Sequence, residues 1–337
     1  MIALLILLQT TLAIAVSGPH TSPEYLSLHT ALVEGSFARE RLSVTLRTTQ
    51  GEAGAAEALA QRRAQVAATS LDAALRHASV DGQPPRLIFG LTAVPPSALL
   101  VPLAHRDAVR TPADLIGKTV GVVGPGAPEE PLLAALLFRS GIRLDQVSQL
   151  AFGQRALVAA LERGEVEAGL LADPWASRLV DKGKATVLAD FRRLGDAARW
   201  LGGHTVHAAL FVRADTPLGE TGIAPLVRAL LDASQRLLSV PPDELAARLP
   251  ARVVGLPDDF RGRLAGARGV LLPRGWVSAE AFQLSVDLLR IRSPLPGSIR
   301  LPRRLGDLLS LDPLRQILDE RGALSTPGAC QSKAEAR

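Results

Sequence analysis

The chain has one cysteine, Cys330, and one tyrosine, Tyr25, and only four of its 38 basic residues are lysine. A single cysteine excludes an intrachain disulfide framework and a thiolate metal site. Aromatic residues make up 4% of the sequence, and the arginines are scattered rather than clustered. The basic stripe and stacking platform that nucleic-acid binding uses are therefore missing, and no nucleic-acid partner is expected despite a net charge of +5. The longest wholly apolar run near the start, IALLILL (2–8), is far too short to span a bilayer. The six histidines form no H-E-x-x-H, and there is no G-x-S-x-G elbow and no Gly-Lys-Ser/Thr loop. Nothing in the motifs implies a metal or a cofactor.

What is present is a chain of 337 residues, 47% hydrophobic, with room for two domains or one large α/β unit. MIALLILLQTTLA (1–13) reads as a signal-peptide-like segment with Thr11-Leu12-Ala13 as its small-x-Ala site, though a basic n-region is absent; the alternative is a buried first strand. The last residues, 325–337, are polar and predict a disordered tail. Between these ends, strand-like and helix-like segments alternate. LAIAVS (12–17), LSVTLR (42–47), QVAAT (65–69), RLIFGLT (86–92) and SALLVPL (97–103) read as strands, the last two joined by a Pro-Pro turn. KTVGVV, EAGLLA, ATVLAD and VHAALFVR continue the series. The alternation predicts an α/β architecture with largely parallel sheets.

One junction recurs: strand, small polar or Gly/Pro turn, helix start. It occurs at AVSGPHTSPEY (15–25), VAATSLDAAL (66–75), GVVGPGAPEE (121–130) and LLADPWASRL (170–179). Helix starts beyond strand ends carry unpaired N–H groups and can hold a polar ligand without charged side chains. In the third junction Gly124 and Gly126 fit G-x-G, but the third position of a dinucleotide fingerprint is Glu129. Glu129 and Glu130 would repel a pyrophosphate, and they read most simply as first-turn helix residues.

In this order and spacing, SPEYLSLHTALVEGSFARERLSVTL, AQVAATSLDAAL, RTPADLIGKTVGVVGPGAP and ALVAALERGEVEAGLLADPWASRLV resemble the NMT1/THI5-like (sulfonate/taurine/nitrate-type) substrate-binding proteins of ABC transporters, over roughly residues 12–320. The resemblance implies a two-lobed periplasmic-binding-protein-like type II fold with a ligand cleft between the lobes. Lobe one would take 14–103 and 206–320 and lobe two 104–205, with the chain crossing near Leu103 and His204. It further implies an exported, periplasmic monomer that binds a small molecule and presents it to an ABC permease in the inner membrane. Carried over residue by residue, it places Ser17 and Gly18, Thr69 and Ser70, Gly126 and Ala127, Asp173 and Trp175 at the ligand.

Ser70 is also a helix cap, Asp173 most simply caps the helix that follows, and Trp175 is either a packing residue or a stacking wall for a flat ligand. Tyr25 is either core or ligand contact, and His204 either a hinge-side contact or a turn residue. Anion-binding members often carry Gly-Ser where this chain has Gly126-Ala127. The missing hydroxyl forgoes about 1–2 kcal/mol of a hydrogen bond to a charged group, which argues against a strongly anionic ligand.

Three functions compete: a solute-binding protein, an enzyme on the same fold (chorismate-dehydratase-like or thiamin-pyrimidine-synthesis-like), and a sensing domain. The pyrimidine-synthesis type uses a Cys-rich segment that this chain lacks, and no helix-turn-helix or kinase module is attached.

Overall fold

Strand β1, Thr11–Ser17, is buried from Leu12 onward, and a strand buried along its length needs partners on both edges. It pairs in parallel with β2 (Ser43–Thr49) and with β3 (Val66–Ser70). The computed structural model describes residues 11–125, 127–215 and 218–322. Its other strands are β4 (Arg86–Thr92), β5 (Ser97–Pro102), β6 (Thr119–Val122), β7 (Ser148–Ala151), β8 (Ala168–Ala172), β9 (Ala185–Asp190) and β10 (Ala208–Val212). They form two five-stranded sheets, ordered β2-β1-β3-β10-β4 and β7-β6-β8-β5-β9. Helices cover both sheets, giving the two-lobed α/β fold that was expected. No described helix is long and apolar enough to cross a membrane.

The two sheets share a design. In the first, β10 runs antiparallel to β3 and β4; in the second, β5 runs antiparallel to β8 and β9. Half of the strand pairings are therefore antiparallel, which corrects the expectation of largely parallel sheets. The reversed strand is in each case the one the chain enters just after crossing between lobes. This also moves a boundary. β5 was assigned to lobe one and the first crossing to Leu103, but β5 belongs to the second sheet and the crossing is Ala93–Pro96. Pro95 and Pro96 have no N–H to offer a hairpin ladder, so β4 and β5 part company and β5 finds its partners in residues far along the chain.

The return crossing precedes β10. There Thr205 Oγ1 donates to Ala93 O at 3.0 Å and His207 N to Thr92 O at 2.8 Å, so the two crossings lie side by side. Ser285 Oγ, which donates to Ala281 O at 2.7 Å, accepts from Val206 N at 2.8 Å, tying the return crossing to the helix Ala279–Arg292.

Each lobe has its own core. Ile14, Leu28, Ala68, Phe89, Phe211 and Leu230 fill the first, and Leu99, Val120, Leu136, Leu170 and Phe191 the second. The late residues 206–320 do not serve lobe one alone, as expected from the sequence: Val270 and Leu288 are buried in the second core. The helix Pro257–Val270 also reaches across. A Cβ added at Gly262 would lie 2.6 Å from Pro174 Cβ, at Gly266 3.0 Å from Pro96 Cβ, and at Gly269 2.1 Å from the Arg192 carbonyl oxygen. Glycines spaced by four and three residues share one helix face, and that face is where the second lobe's backbone approaches.

At the amino end, Thr11, Leu12 and Ala13, assigned to the leader, are the first three residues of β1, paired with Ser43, Val44 and Thr45. Residues 1–10, the tail 325–337 and Cys330 lie outside the described residues.

Candidate functional site

The loops that follow β1, β3, β6 and β8 face one gap between the lobes. Two cavities occupy it, of about 100 Å³ and about 360 Å³, with Pro95, Ala127 and Pro128 in the walls of both. The smaller lies against Ser70, Glu52, Thr205 and His207. The larger lies between the loop after β1 and the loop after β8, against Glu24, Glu129, Asp173, Trp175 and Arg263.

Around the smaller cavity, the helix Gly51–Ala60 is pinned by its start. Thr69 Oγ1 donates to Glu52 O at 2.9 Å, and Tyr25 Oη donates to Glu52 Oε1 at 3.5 Å. Ser70 Oγ donates to the Glu52 carboxylate and accepts Ala73 N at 3.2 Å, so the predicted cap is made and the hydroxyl has a second task. Burial pushes the Glu52 carboxyl up to about 7, with repulsion from Asp72 and Glu129 adding to it and the Ser70 and Tyr25 hydrogen bonds opposing it. Burial likewise brings His207 down to about 4. Its Nε2 stands 3.7 Å from Glu52 Oε1, but a neutral imidazole at pH 7 makes no ion pair, and this buried nitrogen has no hydrogen-bond partner among the described residues.

Around the larger cavity, Asp173 Oδ1 accepts from Ser177 N at 3.0 Å and Ser177 Oγ at 2.9 Å, with Arg192 Nη1 3.8 Å away. Asp173 thus bonds the first turn of the helix Trp175–Asp181 from one residue before its N-cap, Pro174, a step further out than the cap position expected. Burial still raises the Asp173 carboxyl above its ordinary value, against the pull of Arg192. Trp175 is half-buried in the wall, with the Arg178 guanidinium 5.1 Å from its ring centroid.

Glu24 and Glu129 are 7% and 5% exposed. Burial drives Glu24 up to about 8, reinforced by Glu52 and Glu129, against its own backbone N–H; it raises Glu129 too, with Glu130 adding repulsion. Neither has a side-chain partner among the described residues. Glu130 behaves differently, pairing with Arg292 at 2.6 Å. The first-turn reading of Glu129 is thus corrected: it stands at the start of the helix Glu130–Arg139, but its side chain is buried against the cleft.

Of the residues singled out from sequence, Ala127 lies in both walls, Ser70 in the smaller and Asp173 and Trp175 in the larger. Ser17, Gly18, Tyr25 and Thr69 stand one layer behind. Ser17 Oγ donates to Ala68 O at 3.2 Å, and Gly18, joined to Pro19 by a cis peptide, lies where a Cβ would meet Thr49 O at 2.3 Å. His204 is exposed and lines neither cavity; three residues on, His207 does. Gly126 lies outside the described residues. Glu24, Glu52, Glu129 and His207 were missed. A signal existed, because each of the four recurring junctions carries an acid: Glu24, Asp72, Glu129 and Asp173.

A profile of the family described as "NMT1/THI5 like" matches residues 22–197. Among solved structures, the chain is similar to the periplasmic aliphatic sulphonate binding protein SsuA from Escherichia coli (20% identity, 88% of this chain and 98% of that one, TM-score 0.69). It is similar to the alkanesulfonate-binding protein SsuA from Xanthomonas axonopodis pv. citri bound to MOPS (23%, 89% and 97%, TM-score 0.61). A third similar structure is the periplasmic nitrate-binding protein NrtA from Synechocystis PCC 6803 (14%, 92% and 89%, TM-score 0.60). No protein of curated function matches the chain in sequence. The structures establish the periplasmic-binding-protein fold, and the profile covers more than half of the sequence, so the chain belongs to the NMT1/THI5-like family.

Proposed function

We propose that this protein is the extracytoplasmic solute-binding component of an ABC importer, a monomer that holds a small polar molecule between its lobes and hands it to a membrane permease. The observation that carries the reading is the gap itself. Its walls come from both lobes, and the lobes are joined by two short adjacent crossings, the arrangement that hinge closure around a ligand needs. The similar proteins SsuA and NrtA are named for binding sulfonates and nitrate, which supports a small solute as the cargo.

One observation favours a second reading, an enzyme on the same fold: Glu24 and Glu52 have carboxyls near neutrality in one cleft, where general acids and bases operate. A single experiment separates the two. The protein is screened by thermal shift against small solutes, and each hit is recovered and weighed by mass spectrometry. A binding protein is stabilised by about 2.7 kcal/mol at 100 times the dissociation constant and returns the ligand intact. Chemical conversion of the hit refutes the transport reading. Fractionation of the host cell tests export, and sedimentation tests the monomer.

A further inference from the structure

We propose that the larger cavity takes a small organic cation, an ammonium, amidine or guanidinium, held between the Glu24 and Glu129 carboxylates beside the Trp175 ring. The proposal rests on the solute-binding reading and names the chemical class of that ligand.

The charges around this cavity are unequal. Glu24, Glu129, Asp173 and Asp259 line it against one guanidinium, that of Arg263. Arg263 is already engaged: Nη1 donates to Thr21 O at 2.6 Å and to Val253 O at 3.3 Å, Nη2 donates to Val254 O, and its plane lies 5.7 Å from the Phe260 ring centroid. Asp259 is neutralised by Arg178, and Asp173 is held by Ser177 and Arg192. In the adjoining cavity Arg292 is taken by Glu130. After these pairings, the groups left over are Glu24 and Glu129, both more than nine-tenths buried and both in the cavity wall.

A buried carboxyl without a counter-charge is costly, and it is retained where a ligand supplies the partner. A sulfonate or nitrate would find two acidic side chains and no free cation in this wall, and Ala127 offers no hydroxyl. An organic cation would supply the counter-charge that both carboxyls lack, and its N–H groups match the acceptor-only oxygens of a carboxylate. Trp175 adds an aromatic wall, over which the Arg178 guanidinium already stands 5.1 Å from the ring centroid. A bare metal ion fits less well, since no three His, Cys, Asp or Glu side chains converge to hold one among the described residues.

The test uses calorimetric titration of the full chain with benzamidine and agmatine, against taurine and nitrate. Binding is repeated in unbuffered salt at pH 7 with a pH electrode. Burial keeps Glu24, with Tyr25, Glu52 and Glu129 around it, largely protonated at that pH. A bound cation must therefore release protons, whereas a bound anion takes them up or leaves them unchanged. The expected result is saturable cation binding with proton release, weakened at least tenfold in Glu24→Gln and in Glu129→Gln. Both variants are near-isosteric, and unchanged circular-dichroism spectra certify their fold. Absence of a response to either cation overturns the assignment, as does proton uptake or full affinity in both variants. Binding of taurine or nitrate alone overturns the cation assignment while leaving the solute-binding reading standing. Conversion of any probe refutes the solute-binding reading instead.

Discussion

Glu24→Gln gives the sharpest stability test, because its size follows from one buried carboxyl. The Glu24 carboxyl moves from 4.5 to about 8 on folding, chiefly through burial, with Glu52 and Glu129 adding repulsion. The native state thus holds this proton more tightly than the unfolded chain, by on the order of 4 to 5 kcal/mol once both are referred to the same pH. The direction follows: the contribution is fully present below pH 4.5 and is lost as pH rises toward 8. At pH 7 the loss is already about 3 kcal/mol. Glutamine keeps the shape and cannot ionise, so the variant is spared. Urea unfolding of both proteins, ligand-free, at pH 4.5, 6, 7 and 8 should show the variant gaining several kcal/mol on the wild type across the series. Glu52 and Glu129 remain in both proteins, so their own titration largely cancels in the difference. A difference that stays flat with pH refutes the reasoning.

Three further outcomes follow from the packing. Gly269→Ala places a Cβ 2.1 Å from the Arg192 carbonyl oxygen, and backbone cannot rotate aside; a cost of about 1–3 kcal/mol outweighs the up to ~1 kcal/mol of helix propensity gained, measured as a lower urea midpoint. Ser70→Ala removes both the cap on Ala73 N and a donor to the Glu52 carboxylate, and should cost about 1–3 kcal/mol, with Glu52 titrating higher by NMR. Thr205→Val leaves the Ala93 carbonyl unpaired between the crossings; about 1–3 kcal/mol of stability should go, and hydrogen exchange should quicken at Ala93 and His207.

The sequence yielded the fold more readily than the chemistry. The continuous apolar strands and the Ser70 cap are local signals, and each stands in the structure where it was read. What failed was non-local. Nothing in SALLVPL says which sheet it joins, because its ladder partners, Ala168–Ala172 and Ala185–Asp190, lie far along the chain. β7 was missed because SQLA is an exposed edge strand without apolar alternation. The helix Pro257–Val270 was missed because its three glycines weaken propensity, and lobe contact supplies what propensity lacks. At the site, Glu24 and Glu129 stand at helix starts, where an acid is ordinary. Their departure from the ordinary is burial, and burial is decided by packing from distant parts of the chain that the local sequence does not carry.

The sharing of apolar side chains between lobes bears on how the molecule is made. The block from β5 to the helix Leu194–Leu201 contains every strand of the second sheet, yet its core is finished by Val270 and Leu288. A ribosome that has released only that block has produced a sheet with a hole in it. The second lobe therefore seals after the polypeptide has emerged through Leu288, and nascent chains cut short before that point remain open to protease.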